Sequence, residues 1–535
     1  MSDATNEKNK TFKDLWESSI TRRDLLKGAG AAGAAVAFGP VFAACGAGEG
    51  ASTASPTASA SSSPKPGGNL RVGLTGGSSK DVVDMTQAWS FPDLVRGSQL
   101  YDTLMTYDPN FRVTTGLAEA VTSDAAAQVW TIRLKPDLTF HNSKAVTADD
   151  VIFTLRRILD PKYVNTSANI IEDIDPKRLR KLDERTIEVT LKRPNSILDE
   201  VLASPRVPIV PVGYDPKTPV GTGPFMFKTF VPGDRSVFVA NKSYWGEGPY
   251  VDQVETIDFS DDTAKVNALL GGVVDAIGEM PAAQSASAKS SGFATIVSPT
   301  GDWTFLYMRT DLKPFSDVRV RQALRLIVDR PQMVEVALSG YGRVANDVWS
   351  PWDPAYPKDL PQRVQDLEQA KSLLKQAGYE DLNTTLLAAQ TGPGAVESAQ
   401  VFGEQASAAG VKVVVKKMDM GEYYGDNYLT YPFGCDTWST RNYLMQVKAS
   451  LQWNEPHWSD PEWMKLIAEA WKTPDAAKRN EILHECYVID YETGGHIIWG
   501  FNNIIDARTN KVAGFLPDKR GQLNGNGHLN TVWFV

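Results

Sequence analysis

Histidine, cysteine and paired carboxylate residues are the side chains of this sequence that could catalyse a reaction or bind a metal. Adjacent acids occur at Asp149 and Asp150 and at Asp261 and Asp262, where helix starts and turns explain them. Neither a GxSxG nucleophile motif nor a GxxxxGK[ST] phosphate loop is found in the sequence. No metal-ligand spacing connects the five histidines, His141, His457, His484, His496 and His528. We therefore predict a protein that is not an enzyme and has no cofactor and no metal site.

The three cysteines, Cys45, Cys435 and Cys486, include no CxxC pair. This spacing indicates neither a zinc module nor a disulfide framework. Cys435 enters a predicted strand with no basic neighbour that would lower the pKa of its thiol, so we expect a buried structural thiol there.

The composition is that of an ordinary globular protein, with 22% charged and 42% hydrophobic residues in 535 positions. This length allows two or more lobes, each with its own core. The formal net charge is −9, and lysine and arginine are dispersed along the chain. Because nucleic-acid binding requires a basic face, we predict no nucleic-acid partner.

The N-terminal 45 residues resemble an export signal. The charged segment TRRDLLK (residues 21–27) precedes a run of mostly glycine and alanine (residues 28–44) and then Cys45. That run is too weakly apolar for a permanent membrane span, and its GxGxxG match lacks the preceding strand of a nucleotide site. The order of these features is similar to a twin-arginine signal that ends in a bacterial lipobox, with Phe42 where leucine is usual.

If Cys45 is the first residue of the mature protein, its thiol carries a diacylglyceryl group that anchors the protein to a membrane. Residues 46–66 are rich in serine, alanine and proline and nearly devoid of bulky apolar side chains, which is typical of a flexible tether. We therefore expect an exported protein that is held at the outer face of the cell membrane by an N-terminal lipid.

From residue 67 onward, short β-rich runs alternate with amphipathic helices, which predicts an α/β fold. Residues 130–134 and 186–191 alternate with the period of a half-buried strand. Thr147 and Asp150 have the spacing of a helix-capping box. Another helix, residues 366–378, carries capping residues at both ends.

A further helix is predicted to begin at Asp317. Its apolar positions, which should face the core, are Val320, Leu324 and Ile327. Its basic positions, which we expect on the outer face, are Arg319, Arg321 and Arg325.

Five segments, in order, resemble the extracellular solute-binding proteins of family 5, the peptide and nickel type. They are LTFHNSKAVTADDVIFTLRR (138–157), PVGTGPFMFKTF (219–230), NKSYWGEGPYVDQVE (241–255), PFSDVRVRQALRLIVDR (314–330) and LEQAKSLLKQAGY (367–379). Most of these residues are expected to be scaffold, and His141 is expected to be a hydrogen-bonded residue of the fold. The resemblance covers the chain from residue 67 to its end.

The resemblance implies a two-lobed, periplasmic-binding-protein-like fold that closes like a Venus flytrap. Lobe 1 would comprise residues 67–300 with a subdomain inserted at about 101–219, and lobe 2 would comprise residues 301–511. Residues 512–535 would return to lobe 1. The ligand would lie between the lobes, and the protein would deliver it, as a monomer, to ABC permease subunits with their ATPases.

Five of the fourteen tryptophans are candidate ligand contacts because of the positions that the resemblance gives them. Trp438 ends a predicted strand, Trp303 lies near the expected lobe crossover, Trp349 and Trp352 lie in a proline-rich loop, and Trp89 lies in a loop at the cleft edge. Packing in the core is the alternative role for each of them, because most tryptophans are core residues.

Dipeptide-binding relatives place an aspartate after the position of Trp438, where it pairs with the α-ammonium of the peptide. This chain has Ser439, Thr440, Arg441 and Asn442 instead. Because a cation cannot satisfy a buried ammonium, binding of short peptides in the dipeptide manner is not expected. Arg441 either binds a carboxylate or phosphonate or points to solvent, and Asn442 is a further candidate contact.

The leading prediction is therefore a substrate-binding lipoprotein of an ABC importer for an oligopeptide or peptide-like compound. An oligosaccharide is the second ligand class, since tryptophan-rich walls suit the apolar faces of sugars. A sensory receptor and a secreted hydrolase built on the same scaffold remain as alternatives of a different class.

Overall fold

The alternating strands and helices build three principal sheets in the computed structural model, which describes residues 63–450 and 452–535. The predicted signal, Cys45 and most of the tether lie outside the described residues. Pro64–Val535 forms one compact unit. None of the helices in the described ranges combines the length and apolarity that a membrane span needs.

The first sheet has seven strands and mixed direction. Its strands, in spatial order, are Ala294–Ser298, Ile504–Arg508, Ala276–Ile277, Asn69–Thr75, Gln253–Phe259, Arg235–Ala240 and Phe225–Val231. Its apolar faces hold a core that includes Leu70, Val72, Phe225, Phe238 and Val254. This sheet gathers segments from both ends of the chain, so it defines the first lobe.

The second sheet has six strands and defines the second lobe. Its strands, in spatial order, are Gly342–Val344, His496–Asn502, Trp303–Met308, Phe433–Trp438, Asn383–Ala388 and Lys412–Lys417. The two central strands are antiparallel, and their register sets Trp303 opposite Trp438. This register places the N-terminal end of the strand Trp303–Met308 beside the C-terminal end of the strand Phe433–Trp438.

A separate four-stranded antiparallel sheet lies within the range predicted for the inserted subdomain. Its strands, in spatial order, are Ala118–Ser123, Val129–Leu134, Thr186–Leu191 and Ile174–Lys181. It has its own core, with members between Leu104 and Ile209. Two small hairpins complete the strands: Met105–Tyr107 with Val113–Thr115, and Val512–Ala513 with Trp533–Phe534.

The helices cover the sheets and connect their strands. The α-helices of the described residues are Phe91–Leu100, Ala148–Ile158, Leu198–Val201, Asp262–Leu270, Ala282–Ser290, Val318–Ile327, Arg330–Ala337, Leu367–Ala377, Ala395–Ala408, Met420–Tyr423, Tyr443–Ser450, Pro461–Ala470 and Ala476–Thr493. The predicted capping box of Thr147 and Asp150 is present. Asp366 caps the start of Leu367–Ala377, and Gly378 ends it in the left-handed conformation, as predicted.

The helix after Asp317 corrects one prediction. Arg321 and Arg325, expected on its outer face, are only 5% and 1% exposed. The Arg325 guanidinium donates to the carbonyl of Tyr491 at 2.8 Å, within the last turn of Ala476–Thr493, and Arg321 donates to the carbonyl of Gly494 at 3.2 Å. Carbonyls at a helix C-terminus have no intrahelical partner, so buried arginines satisfy them here.

Two segments connect the two large sheets: residues 299–302 and Asn503. Hydrogen bonds join the first segment to Asn502, the residue that precedes the second. The Thr300 hydroxyl donates to the Asn502 carbonyl at 2.9 Å, and the Asn502 N–H donates to the Asp302 carbonyl at 2.7 Å. The pair of crossing segments matches the two-segment hinge that the family resemblance implies.

The return of the chain to the first sheet begins earlier than predicted. Lobe 2 was expected to extend to residue 511, but Ile504–Arg508 pairs antiparallel with Ala294–Ser298 and with Ala276–Ile277 of the first sheet. The boundary therefore falls at Asn503. Composition and periodicity carry no signal for this shift, because strands of both sheets are equally apolar.

Candidate ligand-binding cleft

The crossing segments place a carboxylate beside the loop that follows Trp438. Asp302 Oδ1 accepts hydrogen bonds from the Thr440 N–H and the Thr440 hydroxyl, both at 2.6 Å. The same hydroxyl accepts from the Gly301 N–H at 2.8 Å. Burial raises the pKa of Asp302, while the bonds from Thr440 and the charges of Arg441 and Arg343 oppose that rise.

Arg441 extends from this loop over the Trp438 ring, with its guanidinium carbon 5.0 Å from the ring centroid. Its side chain is partly buried. Burial, followed by the positive charge of Arg206, lowers its pKa to about 10, and Asp302 and Tyr107 act in the opposite direction. Both Arg206 and Tyr107 belong to the range of the inserted subdomain. Met445, one helical turn after Arg441, packs on the core of that subdomain, which includes Val207 next to Arg206. The loop of Arg441 therefore lies beside the inserted subdomain.

Arg206 lies in the loop that follows the helix Leu198–Val201, and it is partly buried. Burial lowers the pKa of Arg206, and Asp93 is the acid that opposes this shift. Asp93 accepts from the N–H groups of Trp89, at 3.0 Å, and Ser90, at 3.1 Å. The acid that acts on Arg206 is therefore itself bound to the loop that contains Trp89.

Direct contacts join the inserted subdomain to the second lobe. Lys448 forms an ion pair with Asp173 at 2.8 Å, with side chains only 10% and 6% exposed. The Ser196 hydroxyl donates to the Ala470 carbonyl at 2.8 Å. The two walls are therefore in contact on one side of the cleft.

Two of the predicted ligand tryptophans are packed in the interior. Trp303 is 2% exposed and Trp349 is 6% exposed. Their rings lie 5.9 Å apart in a stacked arrangement, and Trp349 stacks at 5.4 Å on Tyr443. His496 contacts both tryptophans edge-on. This packing argues against a ligand role for Trp303 and Trp349 and favours the alternative role in the core.

The other predicted contacts differ in exposure. Trp89 is 79% exposed, whereas Trp438 and Arg441 are partly buried. Asn442 is 7% exposed, and its side-chain oxygen has no hydrogen-bond partner among the described residues. Trp438, Arg441 and Asn442 thus lie at the end of the strand Phe433–Trp438 and in the loop that follows it, whereas Trp89 lies in the loop before the helix Phe91–Leu100.

Two cationic side chains contact the ring of Trp352. Lys519 approaches its ring to 4.1 Å and Arg343 to 4.8 Å. Arg343 also donates to the Asn503 side chain at 2.5 Å and to the Thr300 carbonyl. It therefore holds both crossing segments next to Asp302.

Behind Trp438 lies a buried acidic cluster. The indole N–H donates to Glu455 Oε1 at 2.9 Å, and the Tyr428 hydroxyl lies 2.8 Å from Asp436 Oδ2 and 3.2 Å from Glu455 Oε1. Tyr424 donates to Asp436 Oδ1 at 2.6 Å. Burial, and then the charge of Asp436, raises the pKa of Glu455 to about 8. The cluster fixes the orientation of the Trp438 ring.

The remaining histidine, cysteine and acidic side chains of the described residues serve the fold. No group of three or more histidine, cysteine, aspartate or glutamate side chains is placed to hold a metal there. Cys435 and Cys486 are buried free thiols, and burial raises the pKa of Cys435 to about 12, as expected for a structural thiol. His141 accepts from the Gly221 N–H at 3.2 Å and lies 3.0 Å from the Gly223 carbonyl, which confirms its predicted scaffold role.

Asp302 and Arg206 were not identified from the sequence. Asp302 stands between a glycine and a tryptophan with no motif, and only the pairing of Trp303 with Trp438 brings it to Thr440. Arg206 lies more than two hundred residues from Arg441 in a loop without periodicity. Charge in a loop is the only local signal, and it is shared by many surface residues.

The fold and the cleft define a two-lobed solute-binding protein of the periplasmic type. The model of the bacterial extracellular solute-binding proteins, family 5, matches residues 112–463, and a twin-arginine translocation signal matches residues 19–39. The chain belongs to this family. It is an exported substrate-binding protein of the ABC-importer class, which confirms the family and fold predicted from the sequence.

Relatives of known structure or name share the whole body of the chain. The glutathione-binding protein GsiB of Escherichia coli O1:K1 is 25% identical over 449 residues, which cover 78% of this chain and 86% of that protein. AgaA of A. tumefaciens R10, solved with agropinic acid, is 25% identical with a TM-score of 0.70, covering 88% and 99% of the two chains. DppA of Helicobacter pylori, solved with the peptide STSA, is 19% identical with a TM-score of 0.72, covering 88% and 99%.

Proposed function

We propose that the protein captures a small peptide-like solute between its lobes and delivers it to a membrane permease. The observation that carries this proposal is that an acid and a base come together at one loop of the cleft: the Asp302 carboxylate is held by Thr440, and Arg441 follows Thr440 directly. A peptide-like compound carries both an ammonium and a carboxylate, so it complements such a pair. The names of the relatives, which include glutathione-binding and peptide-bound proteins, support the same ligand class.

Asp302 offers the acid that the segment after Trp438 lacks. Dipeptide-binding relatives are expected to carry their aspartate in that segment, whereas here the carboxylate comes from the start of the neighbouring strand Trp303–Met308. One oxygen of Asp302 is used by Thr440, which orients the group. We infer that its second oxygen receives the ammonium of the ligand, so the site differs in construction from the dipeptide arrangement.

Isothermal titration with glutathione, tri-alanine, N-acetyl-tri-alanine and maltotriose tests this proposal. We expect at least one free peptide to bind, acetylation to weaken tri-alanine, and Asp302→Asn to weaken the free peptides about tenfold, because an ionic hydrogen bond in a partly buried site is lost. The exposed Asp426→Asn is the matched control and should leave affinity unchanged. Binding of maltotriose alone would contradict the peptide-like ligand and favour the oligosaccharide.

We further propose that Cys45 is lipidated and holds the body at the outer face of the membrane. The small residues before Cys45 and the serine-rich tether after it support this anchor, and the twin-arginine match supports export. Cys45→Ala should release the body into the medium or block processing of the signal, as measured by fractionation and by the mass of the mature protein. The matched Cys435→Ala should remain with the membrane, and equal retention of both variants would remove the lipid anchor from the account.

A further inference from the structure

We propose that Arg206 and Arg441 together bind one anionic group of the ligand, a carboxylate or a phosphonate, from opposite walls of the cleft. This inference rests on the proposed function and deepens it, because it assigns the negative end of the ligand to two residues. The two arginines come from the inserted subdomain and from the second lobe, so the anion would connect both walls.

Most N–H donors of the Arg441 guanidinium have no hydrogen-bond partner among the described residues. Its one hydrogen bond within the described residues is a long contact from Nη1 to the Ser439 carbonyl at 3.4 Å, and it forms no ion pair with them. Asp302 is the nearby acid, but its Oδ1 is already bound twice by Thr440. The Arg441 guanidinium also lies over the Trp438 ring, with its carbon 5.0 Å from the ring centroid. Most N–H groups of Arg441 are therefore available to a ligand.

Arg206 has even fewer partners. No hydrogen bond or ion pair of its side chain is formed within residues 63–450 and 452–535. Asp93, the acid that acts on it, is bound by Arg96 at 2.6 Å and by the N–H groups of Val82, Trp89 and Ser90. The carboxylate of Asp93 is thus bound by Arg96 and by backbone N–H groups, and it does not neutralise Arg206.

Two of the fully buried arginines, Arg96 and Arg330, are paired with carboxylates, whereas a third, Arg325, donates to backbone carbonyls. Arg96 forms ion pairs with Asp81, at 2.8 Å, and with Asp93, and Arg330 pairs with Asp347 at 2.6 Å. Burying a charge is costly unless it is paired, and these side chains obey that requirement. Arg206 and Arg441 are partly buried without such partners, and the charge of one lowers the pKa of the other.

An anion bound between the two guanidinium groups replaces their mutual repulsion by attraction. Two like charges across a partly desolvated cleft repel, whereas each attracts a shared anion, and a planar guanidinium binds a carboxylate or phosphonate through paired N–H donors. Because the arginines lie on different walls, the anion stabilises the closed arrangement over any arrangement in which the walls separate. The pair therefore couples recognition of charge to closure.

Titrations with tri-alanine and with its C-terminal amide, which lacks the carboxylate, test the pair. We expect the amide to bind the native protein at least tenfold more weakly than the acid. Arg206→Gln and Arg441→Gln should each weaken binding of the acid about tenfold and binding of the amide little. The difference in affinity between acid and amide should therefore be smaller in both variants. Arg178→Gln, an exposed arginine of the inserted subdomain, is the control and should keep the full difference.

Equal binding of acid and amide by the native protein would overturn this inference and leave the proposed function standing. So would an unchanged acid-to-amide ratio in both arginine variants. Binding of maltotriose by a protein that binds neither peptide would overturn both proposals. If none of these compounds binds, the result counts against the proposed function, and the anion site is judged by a measurement that needs no ligand.

That measurement is quenching of Trp438 fluorescence by iodide and by neutral acrylamide, with Trp438→Phe defining the contribution of this ring. Cations near the ring concentrate iodide but not acrylamide. We expect Arg206→Gln, which does not alter the contact on Trp438, to lower the iodide quenching constant by about half and to leave the acrylamide constant unchanged. Iodide quenching that is the same in both proteins would overturn the inference.

Discussion

At the residue scale, the acidic cluster behind Trp438 is the clearest case of a buried titratable group. Glu455 is 1% exposed and accepts the indole N–H of Trp438. Its pKa of about 8 is raised first by burial and then by Asp436, so its carboxyl group is largely protonated at neutral pH. The proton on Glu455 removes one negative charge from the buried cluster that this residue forms with Asp436.

This cluster predicts how stability depends on pH. The folded pKa of Glu455 lies above its ordinary value of 4.5, so its contribution is fully present below about pH 4.5 and is lost as pH rises through about 8. Between these values the free energy of unfolding should fall, by up to about 1.4 kcal/mol per pH unit for this group. Glu455→Gln keeps the shape and removes the titration.

Urea unfolding at steps between pH 5 and pH 8 measures this difference. The native protein should lose stability more steeply than Glu455→Gln, while other raised carboxyl groups, such as those of Glu200 and Asp490, contribute equally to both proteins. Parallel stability curves for the two proteins would show that Glu455 is not the group that titrates.

At the element scale, the contact between the inserted subdomain and the helix Tyr443–Ser450 decides how the walls meet. Lys448 of this helix pairs with Asp173, which also binds Arg193 and accepts from Asn195 at 3.0 Å. Met445 of the same helix packs on the apolar core of the inserted subdomain. A charge pair and an apolar contact therefore act together at one interface.

Breaking this ion pair should weaken ligand binding without touching the ligand. Lys448 contacts Asp173 only when the two walls are together. Lys448→Met therefore removes an ion pair from the closed arrangement and none from the open one, which favours separation of the walls. We expect affinity for the bound peptide to fall about tenfold, or about 1.4 kcal/mol, measured by titration. The exposed Lys472→Met is the matched control, and equal affinity of the two variants would show that the pair does not stabilise closure.

Local elements were predictable where the signal is local. The capping box at Thr147, the capped helix Leu367–Ala377 and the scaffold role of His141 follow from spacing or from a recognised segment. The exposed position expected for Arg325 was wrong, because a helical stripe does not reveal that carbonyls of a distant helix end require a donor. Amphipathic pattern alone therefore misplaces arginines that serve tertiary contacts.

At the scale of the whole molecule, the order of five segments predicted the two-lobed fold and the family. The details of the cleft depend on contacts distant in sequence. The register of Trp303 against Trp438 brings Asp302 to Thr440, and the inserted subdomain brings Arg206 toward Arg441. Trp303 and Trp349 could not be separated from Trp438 by sequence, since burial is a property of the assembled lobe.

Native mass spectrometry of the protein purified from its own host, with fragmentation of any ligand that copurifies, tests the central claim most directly. The account predicts one small molecule per protein, containing a free amino group and at least one carboxylate or phosphonate. Asp302→Asn and Arg441→Gln should each lower its occupancy, while Asp426→Asn should not. A bound neutral saccharide, or a ligand whose occupancy neither variant changes, would contradict the account.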